Sequence, residues 1–178
     1  MTYPRPERPG IDGAIENFLV DIAEAARASN GFVLEMGVAS GTGSTLAIHD
    51  GLVSHPDPLH VSVDLVDHMY WKPEVPWWHL VLADSRSVHA VKKVLTITSR
   101  TPGLIFIDTD HTYEQMAAEL LLWSPIAGED TVWLFHDTYM HGQYNHMTDA
   151  IREFAPQYGW KYDDFRTQTH GLGRMRRP

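Results

Sequence analysis

The 178-residue chain has no cysteine. Disulfides, thiolate catalysis and cysteine-ligated zinc or iron–sulfur centres are therefore excluded. No run of 18 apolar residues occurs, so no segment reads as a transmembrane helix. The opening MTYPRPERPG lacks the apolar core of a signal peptide, and the expected location is cytoplasmic. Positive charge is also scarce. Fourteen Lys and Arg stand against 23 Asp and Glu, a formal net charge of −9, which argues against non-specific binding to nucleic acid or to an anionic membrane. The basic ending GRMRRP is too short to reverse this. No internal repeat or low-complexity tract is present. What remains is a globular mixture, 43% hydrophobic and 21% charged, with enough apolar material for a core.

Residues 1–10 hold three prolines among alternating charges and read as an extended arm. Residues 11–178 read as one domain. Helical spacing of Ile15, Phe18, Leu19, Ile22 and Ala26 predicts a helix over 11–29, stopped at Asn30-Gly31. Strands are predicted at FVLEMG, HVSVDLV, HLVLAD, LIFID and TVWLFHD. Helices are predicted at TGSTLAIHDGLV, VHAVKKVLTITS, TYEQMAAELLLWSPI and MTDAIREFAPQY. WKYDDFRT and LGRMRRP, joined by QTHG, predict a terminal hairpin. The Pro- and Trp-rich stretch DHMYWKPEVPWW, residues 67–78, reads as a loop. Strands alternating with helices predict a mostly parallel α/β sheet with helices on both faces.

In such a sheet, ligands bind beyond the carboxyl ends of the strands. Here every strand end carries an acid. Glu35 closes the first and Asp64 lies near the end of the second. Asp84 and Ser85 follow the third, Asp108, Asp110 and His111 the fourth, and His136 and Asp137 the fifth. After the first strand, Gly37-x-x-x-Gly41-x-Gly43 forms a glycine loop that lets backbone approach a ligand. The spacing is not the dinucleotide fingerprint. It does fit short-chain dehydrogenases, so an NAD(P)-dependent oxidoreductase is one reading. Their Tyr-x-x-x-Lys pair is missing: Tyr70 and Lys72 are too close, and Tyr158 and Lys161 are one residue short. Glu35 beside the loop suits a cationic ligand better than a pyrophosphate. A cofactor-binding module without transfer activity is a third reading.

EMGVASGTGS resembles motif I of the class I S-adenosylmethionine-dependent methyltransferases, in its E-x-G-x-x-x-G-x-(G/S) variant. IDTDHTYEQMAAELLLWSPIAGEDTVWLFHDT resembles one branch more closely. That branch carries D-x-D-H-[ST]-Y on the fourth strand and G…HD on the fifth, and includes cephalosporin-hydroxylase-like proteins and small-molecule or sugar O-methyltransferases. The likeness spans about residues 30–140. It departs at GED, where a double glycine is usual, and in having little of the N-terminal region that covers substrate in several relatives. The resemblance implies a Rossmann-like methyltransferase fold, a mostly parallel seven-stranded sheet closed by a C-terminal antiparallel hairpin.

It also implies roles. Gly37, Ala39 and Gly41 would approach the methionine end of S-adenosylmethionine, with Glu35 near its ammonium. A branched residue at Gly37 is then expected to block the cofactor and spare the fold. Asp64 would take the ribose hydroxyls, and Asp84 and Ser85 would face the adenine. Asp108 would face the cofactor or, with His136 and Asp137, hold a divalent metal, Mg²⁺ or Mn²⁺. A histidine in that set suits Mn²⁺ or Fe²⁺ better than Mg²⁺. His111 or His136 would take a proton, and Asp108 would share in catalysis. Simpler roles stand beside these: Asp64 as a turn acid, Asp84 with Ser85 as a helix cap, Asp110 or Thr112 as the cap of the next helix. Tyr113 would line the site or pack, and His141, Tyr144 and His146 would overhang the acceptor. The implied partner is a hydroxylated small molecule or sugar, with homo-oligomerisation left open.

Overall fold

The computed structural model describes residues 13–140, 143–167 and 169–178. The expected N-terminal arm lies outside them. Seven strands form the main sheet: β1 Phe32–Met36, β2 Leu59–Asp64, β3 Trp78–Leu82, β4 Leu104–Ile107, β5 Val132–His136, β8 Lys161–Arg166 and β9 Leu172–Arg176. Their order is β3-β2-β1-β4-β5-β9-β8. The first five are parallel, and β9 runs antiparallel to both β5 and β8. The predicted alternation and closing hairpin are therefore present. A two-stranded ribbon, β6 Tyr139–Met140 and β7 Gln143–Tyr144, is added beyond β5.

Strand parity divides the core in two. Phe32, Leu34 and Met36 face α4 Val88–Ile97, α5 Tyr113–Trp123 and α6 His146–Gln157. Val33, with Leu104, Phe106 and Leu134, faces α2 Leu19–Ala28 and α3 Ser44–Leu52. Side chains alternate along a strand, so this is the arrangement that period two dictates. The predicted helix over 11–29 is broken. A short α1 Gly13–Glu16 ends in a turn, and Phe18 closes onto the carbonyl of Ile15 at 2.9 Å. The break lets Ile15 and Phe18 both enter the core. No helix links β2 to β3, and the 67–77 stretch is irregular, as its prolines predict. No helix among the described residues is long and apolar enough to cross a membrane.

Glu35 sits on the central strand, wholly buried. Its parity turns it toward α3, beside Ser62 of β2 in register. Ser44 and Thr45 donate to Oε1 at 2.7 and 3.0 Å; Ser62 donates to Oε2 at 2.7 Å, and His60 Nε2 lies 3.0 Å from it. Ser62 in turn accepts from Trp78 Nε1 at 3.0 Å. One carboxylate thus joins β1, β2, β3 and the first turn of α3. Glu35→Gln would place an amide donor among donors. Urea denaturation should show a loss of roughly 2–4 kcal/mol with unchanged m-value. A loss under about 0.5 kcal/mol, the range of neutral surface changes, would mean that the carboxylate is dispensable.

Candidate active site

The glycine loop follows β1 at the point where the strand order reverses. Gly37 has φ 84°, and a Cβ there would lie 2.0 Å from the Asp108 carbonyl oxygen. Glycine is needed both for the left-handed conformation and for the contact between the ends of β1 and β4. A branched residue at Gly37 therefore strains the fold as well as the loop, contrary to the expectation that it would act on the cofactor alone. Ala39 is left-handed too, at φ 43°. At Gly41 a Cβ would fall 2.1 Å from the Trp71 carbonyl oxygen, and the Tyr70 and Trp71 amides donate to Ser40 O. The Trp-rich connection thus buttresses the loop. Asp64 at the end of β2 reaches across: Oδ2 accepts from Val38 N at 2.9 Å and Oδ1 from Val66 N at 3.1 Å. It is a turn acid with lone pairs to spare on each oxygen.

Three assignments meet a different geometry. Glu35 has four side-chain donors around it inside the sheet, which leaves no edge for an ammonium. Asp84 is held by Arg86, through its amide at 2.9 Å and its guanidinium at 3.1 and 2.9 Å. That guanidinium contact leads the causes that pull the Asp84 carboxyl below its usual range. Ser85 turns inward. Its Oγ donates to Glu119 Oε1 at 2.5 Å and accepts from Gln115 Nε2 at 3.2 Å. Thr109 completes that buried cluster by donating to Glu119 Oε2 at 2.9 Å. Burial pushes the Glu119 carboxyl up, and the hydrogen bonds from Ser85, Gln115 and Thr109 oppose it. Neither Asp84 nor Ser85 caps α4; Ser87 does, accepting from Ala90 N at 3.1 Å. Likewise Thr112, not Asp110, caps α5.

Beyond β4 and β5 the expected convergence is present. His111 Nε2 lies 3.1 Å from Asp137 Oδ2 and 3.7 Å from Asp108 Oδ1. His136 Nδ1 lies 3.2 Å from Asp108 Oδ1 and 3.3 Å from Asp137 Oδ2. The cluster is graded in depth. Side-chain exposure is 31% for His111 and 23% for Asp108, but 7% for Asp137 and 2% for His136. All four line a cavity of about 300 Å³, together with Gly37, Val38 and Ser40. A larger groove of about 550 Å³ lies at the opposite ends of the strands, near Asn30 and Gly103, away from this cluster.

Charge follows the same gradient. Burial pushes the Asp108 carboxyl up, but the His111 and His136 imidazoles more than reverse this and hold it at about 2. Burial pulls His136 down, but Asp108 and Asp137 outweigh it and raise the imidazole to about 10. His136 is therefore an imidazolium at neutral pH. Its Nδ1 faces Asp108 and Asp137, and protonation there counters the charge of both carboxylates. The Asp108 carboxylate raises His111 against burial, and Asp137 adds to the effect.

For a divalent cation, the donors within 4.8 Å of one another are Asp108, His111 and Asp137. His111 thus stands where the sequence placed His136. Asp137 Oδ1 and His111 Nε2 are buried atoms without a hydrogen bond. Two carboxylates, with water and an acceptor oxygen completing the shell, fit a hard divalent ion.

Of the acceptor-side candidates, Tyr113 reaches Glu153 at 2.7 Å and Tyr144 reaches Asp164 at 3.0 Å. His146 lies 3.7 Å from Asp149 on an exposed face. None of the three joins the cluster, and His141 lies outside the described residues. His170, which the sequence offered only as part of a turn, stands 3.0 Å from Asp137.

Several solved structures share this architecture. An SAH-bound O-methyltransferase from Bacillus cereus aligns with 96% of this chain and 83% of its own, at TM-score 0.65 and 14% identity. SAH-bound methyltransferase PaMTH1 from Podospora anserina aligns over 88% and 76%, at TM-score 0.63 and 14% identity. CalS11, a TDP-rhamnose 3′-O-methyltransferase of calicheamicin biosynthesis, aligns over 89% and 76%, at TM-score 0.61 and 16% identity. No protein of curated function matches the sequence. A methyltransferase-domain family profile matches residues 34–138, more than half of the chain and the whole span from β1 to the end of β5. The chain belongs to that family and is an S-adenosylmethionine-dependent methyltransferase.

Proposed function

We propose that this methyltransferase acts on a hydroxyl oxygen of a small molecule or sugar and that His111 removes the proton. The observation that carries the reading is the position of His111 Nε2. His111 lines the cavity bounded by the glycine loop, and its Nε2 lies 3.1 Å from Asp137 Oδ2. The oxygen-directed activities of the Bacillus cereus enzyme and of CalS11 support an oxygen acceptor.

Bound S-adenosylmethionine supplies a sulfonium-activated methyl group, so the chain's task is alignment and proton removal. Gly37 and Ala39 hold backbone against the cofactor's amino-acid end, and Asp64 offers its free lone pairs to the ribose. Asp108 and Asp137 would hold a divalent ion, which would lower the pKa of a hydroxyl and of an imidazole beside it. His111 accepts the acceptor's proton at Nε2. His136 keeps the two carboxylates in place from behind.

Four outcomes are expected. S-adenosylhomocysteine should raise the melting temperature of the wild type. Two charge-assisted ribose hydrogen bonds are worth about 1.5–3 kcal/mol each, so Asp64→Ala should weaken calorimetric affinity at least about ten-fold. Equal affinity would leave Asp64 a turn residue alone. With a panel of phenols and nucleotide sugars as acceptors, His111→Ala should lower kcat by about 10²–10⁴-fold, the usual contribution of a general base. Turnover within twofold of wild type would exclude His111.

The fourth concerns pH. The folded pKa of His136 is about 10, against about 6.5 for a free histidine. Its stabilising contribution is complete below the lower value and is lost as pH rises through the higher one. Between pH 7 and 10 the wild-type melting temperature should therefore fall more steeply than that of His136→Asn. Parallel slopes would show that His136 is not the buried cation.

A further inference from the structure

His170 enters the site from the far end of the chain. β9 pairs antiparallel with β5, with Leu172 opposite His136, so the loop before β9 lands on the end of β5. Two contacts fix it there. Tyr139 N donates to the His170 carbonyl at 2.7 Å. Gly171, at φ 79°, lets the chain pass so close that a Cβ would lie 2.8 Å from Thr138 Oγ1 and from Tyr139 N. The imidazole then meets Asp137 from outside the cluster, with Nδ1 3.0 Å from Oδ1. The other oxygen, Oδ2, faces His111 Nε2 at 3.1 Å and His136 Nδ1 at 3.3 Å.

Asp137 thus has an imidazole nitrogen within 3.3 Å of each oxygen, and it has few alternatives. Its backbone is left-handed, at φ 57°, a conformation that costs a non-glycine residue energy and persists only where its surroundings enforce it. Its carbonyl accepts from Asn145 Nδ2 at 2.5 Å. The residue is buried, so the carboxylate has little room to swing toward solvent. What remains free is rotation about its own axis, and an imidazole on Oδ1 limits that rotation.

We propose that His170 is a positioning residue that, from beside Asp137 Oδ1, keeps Oδ2 aimed at the divalent-cation position that Asp137 would share with Asp108. The inference rests on reading that cluster as a cation site. Partners that orient a ligating carboxylate typically change metal affinity 10–100-fold when removed.

The experiment titrates Mn²⁺, followed by its free-ion electron paramagnetic resonance signal, into wild type, His170→Ala and His170→Asn. Apo melting temperature and S-adenosylhomocysteine affinity are measured on the same samples. Wild type should bind Mn²⁺. His170→Ala should bind it about 10–100-fold more weakly, with melting temperature and nucleoside affinity unchanged. His170→Asn, which keeps a donor near Oδ1, should recover part of the loss. Equal Mn²⁺ affinity in wild type and His170→Ala overturns the positioning role and leaves the cation site standing. Parallel loss of melting temperature, nucleoside affinity and Mn²⁺ in both variants overturns it as well, because the residue then only packs the hairpin. A wild type that takes up no Mn²⁺ overturns the cation site itself, and the positioning role with it.

Discussion

A carboxylate sealed inside a protein must be surrounded by donors, because its desolvation is otherwise prohibitive. Glu35 imposes that requirement at the centre of the sheet. Its donors come from two neighbouring elements, Ser44 and Thr45 on α3 and His60 and Ser62 on β2. Meeting the demand fixes the start of α3 against β1. The glycine loop is the connection between those two elements. Its shape is thus bounded by a polar network on one side and, through Gly37, by the carbonyl of Asp108 on the other. The glycine loop is tied to the sheet at both of its ends.

The chemical end of the site rests on a different balance. Asp108, His111, His136 and Asp137 place two carboxylates and two imidazoles within hydrogen-bonding range of one another. Depth sorts their roles. The innermost imidazole is raised by the two carboxylates and counters their charge where water is scarce. The outer imidazole meets the cavity, where its proton can exchange with a ligand. Two residues of the same type meet different degrees of burial because of where β4 and β5 end.

Much of this was legible in the chain. Apolar runs located the strands, and rules for α/β sheets pointed to their carboxyl ends, where the structure places Asp64, Asp108, His111 and Asp137. The failures have physical reasons. Glu35 was placed at the ligand because it adjoins the loop, yet it shares parity with Val33, which faces α3. Strand alternation could have shown this. Ser85 was read as facing the adenine or capping α4, but a buried Glu119 on α5 takes its hydroxyl, and no local pattern signals a partner 34 residues away. Asp84 was spent on Arg86, two residues on. His136 was read as a base or ligand; only its burial between two acids reveals it as a cation. His170 looked like a turn residue, since only antiparallel pairing of β9 brings it to β5.

The irregular connection between β2 and β3 gives the protein an optical property. Trp77 stacks on the imidazole of His49 at 5.0 Å, and Trp71 meets the same ring edge-on at 5.6 Å. The Trp71 amide is also bound to the Ser40 carbonyl of the glycine loop. Indole emission responds to local polarity and to a stacked imidazole, so these two rings make the loop's movements visible in intrinsic fluorescence. Trp123 and Trp133 are wholly enclosed in the opposite core and form a steady background. With no cysteine in the chain, a single introduced thiol would accept a dye at one site only, and energy transfer from Trp71 could then gauge distances across the cleft.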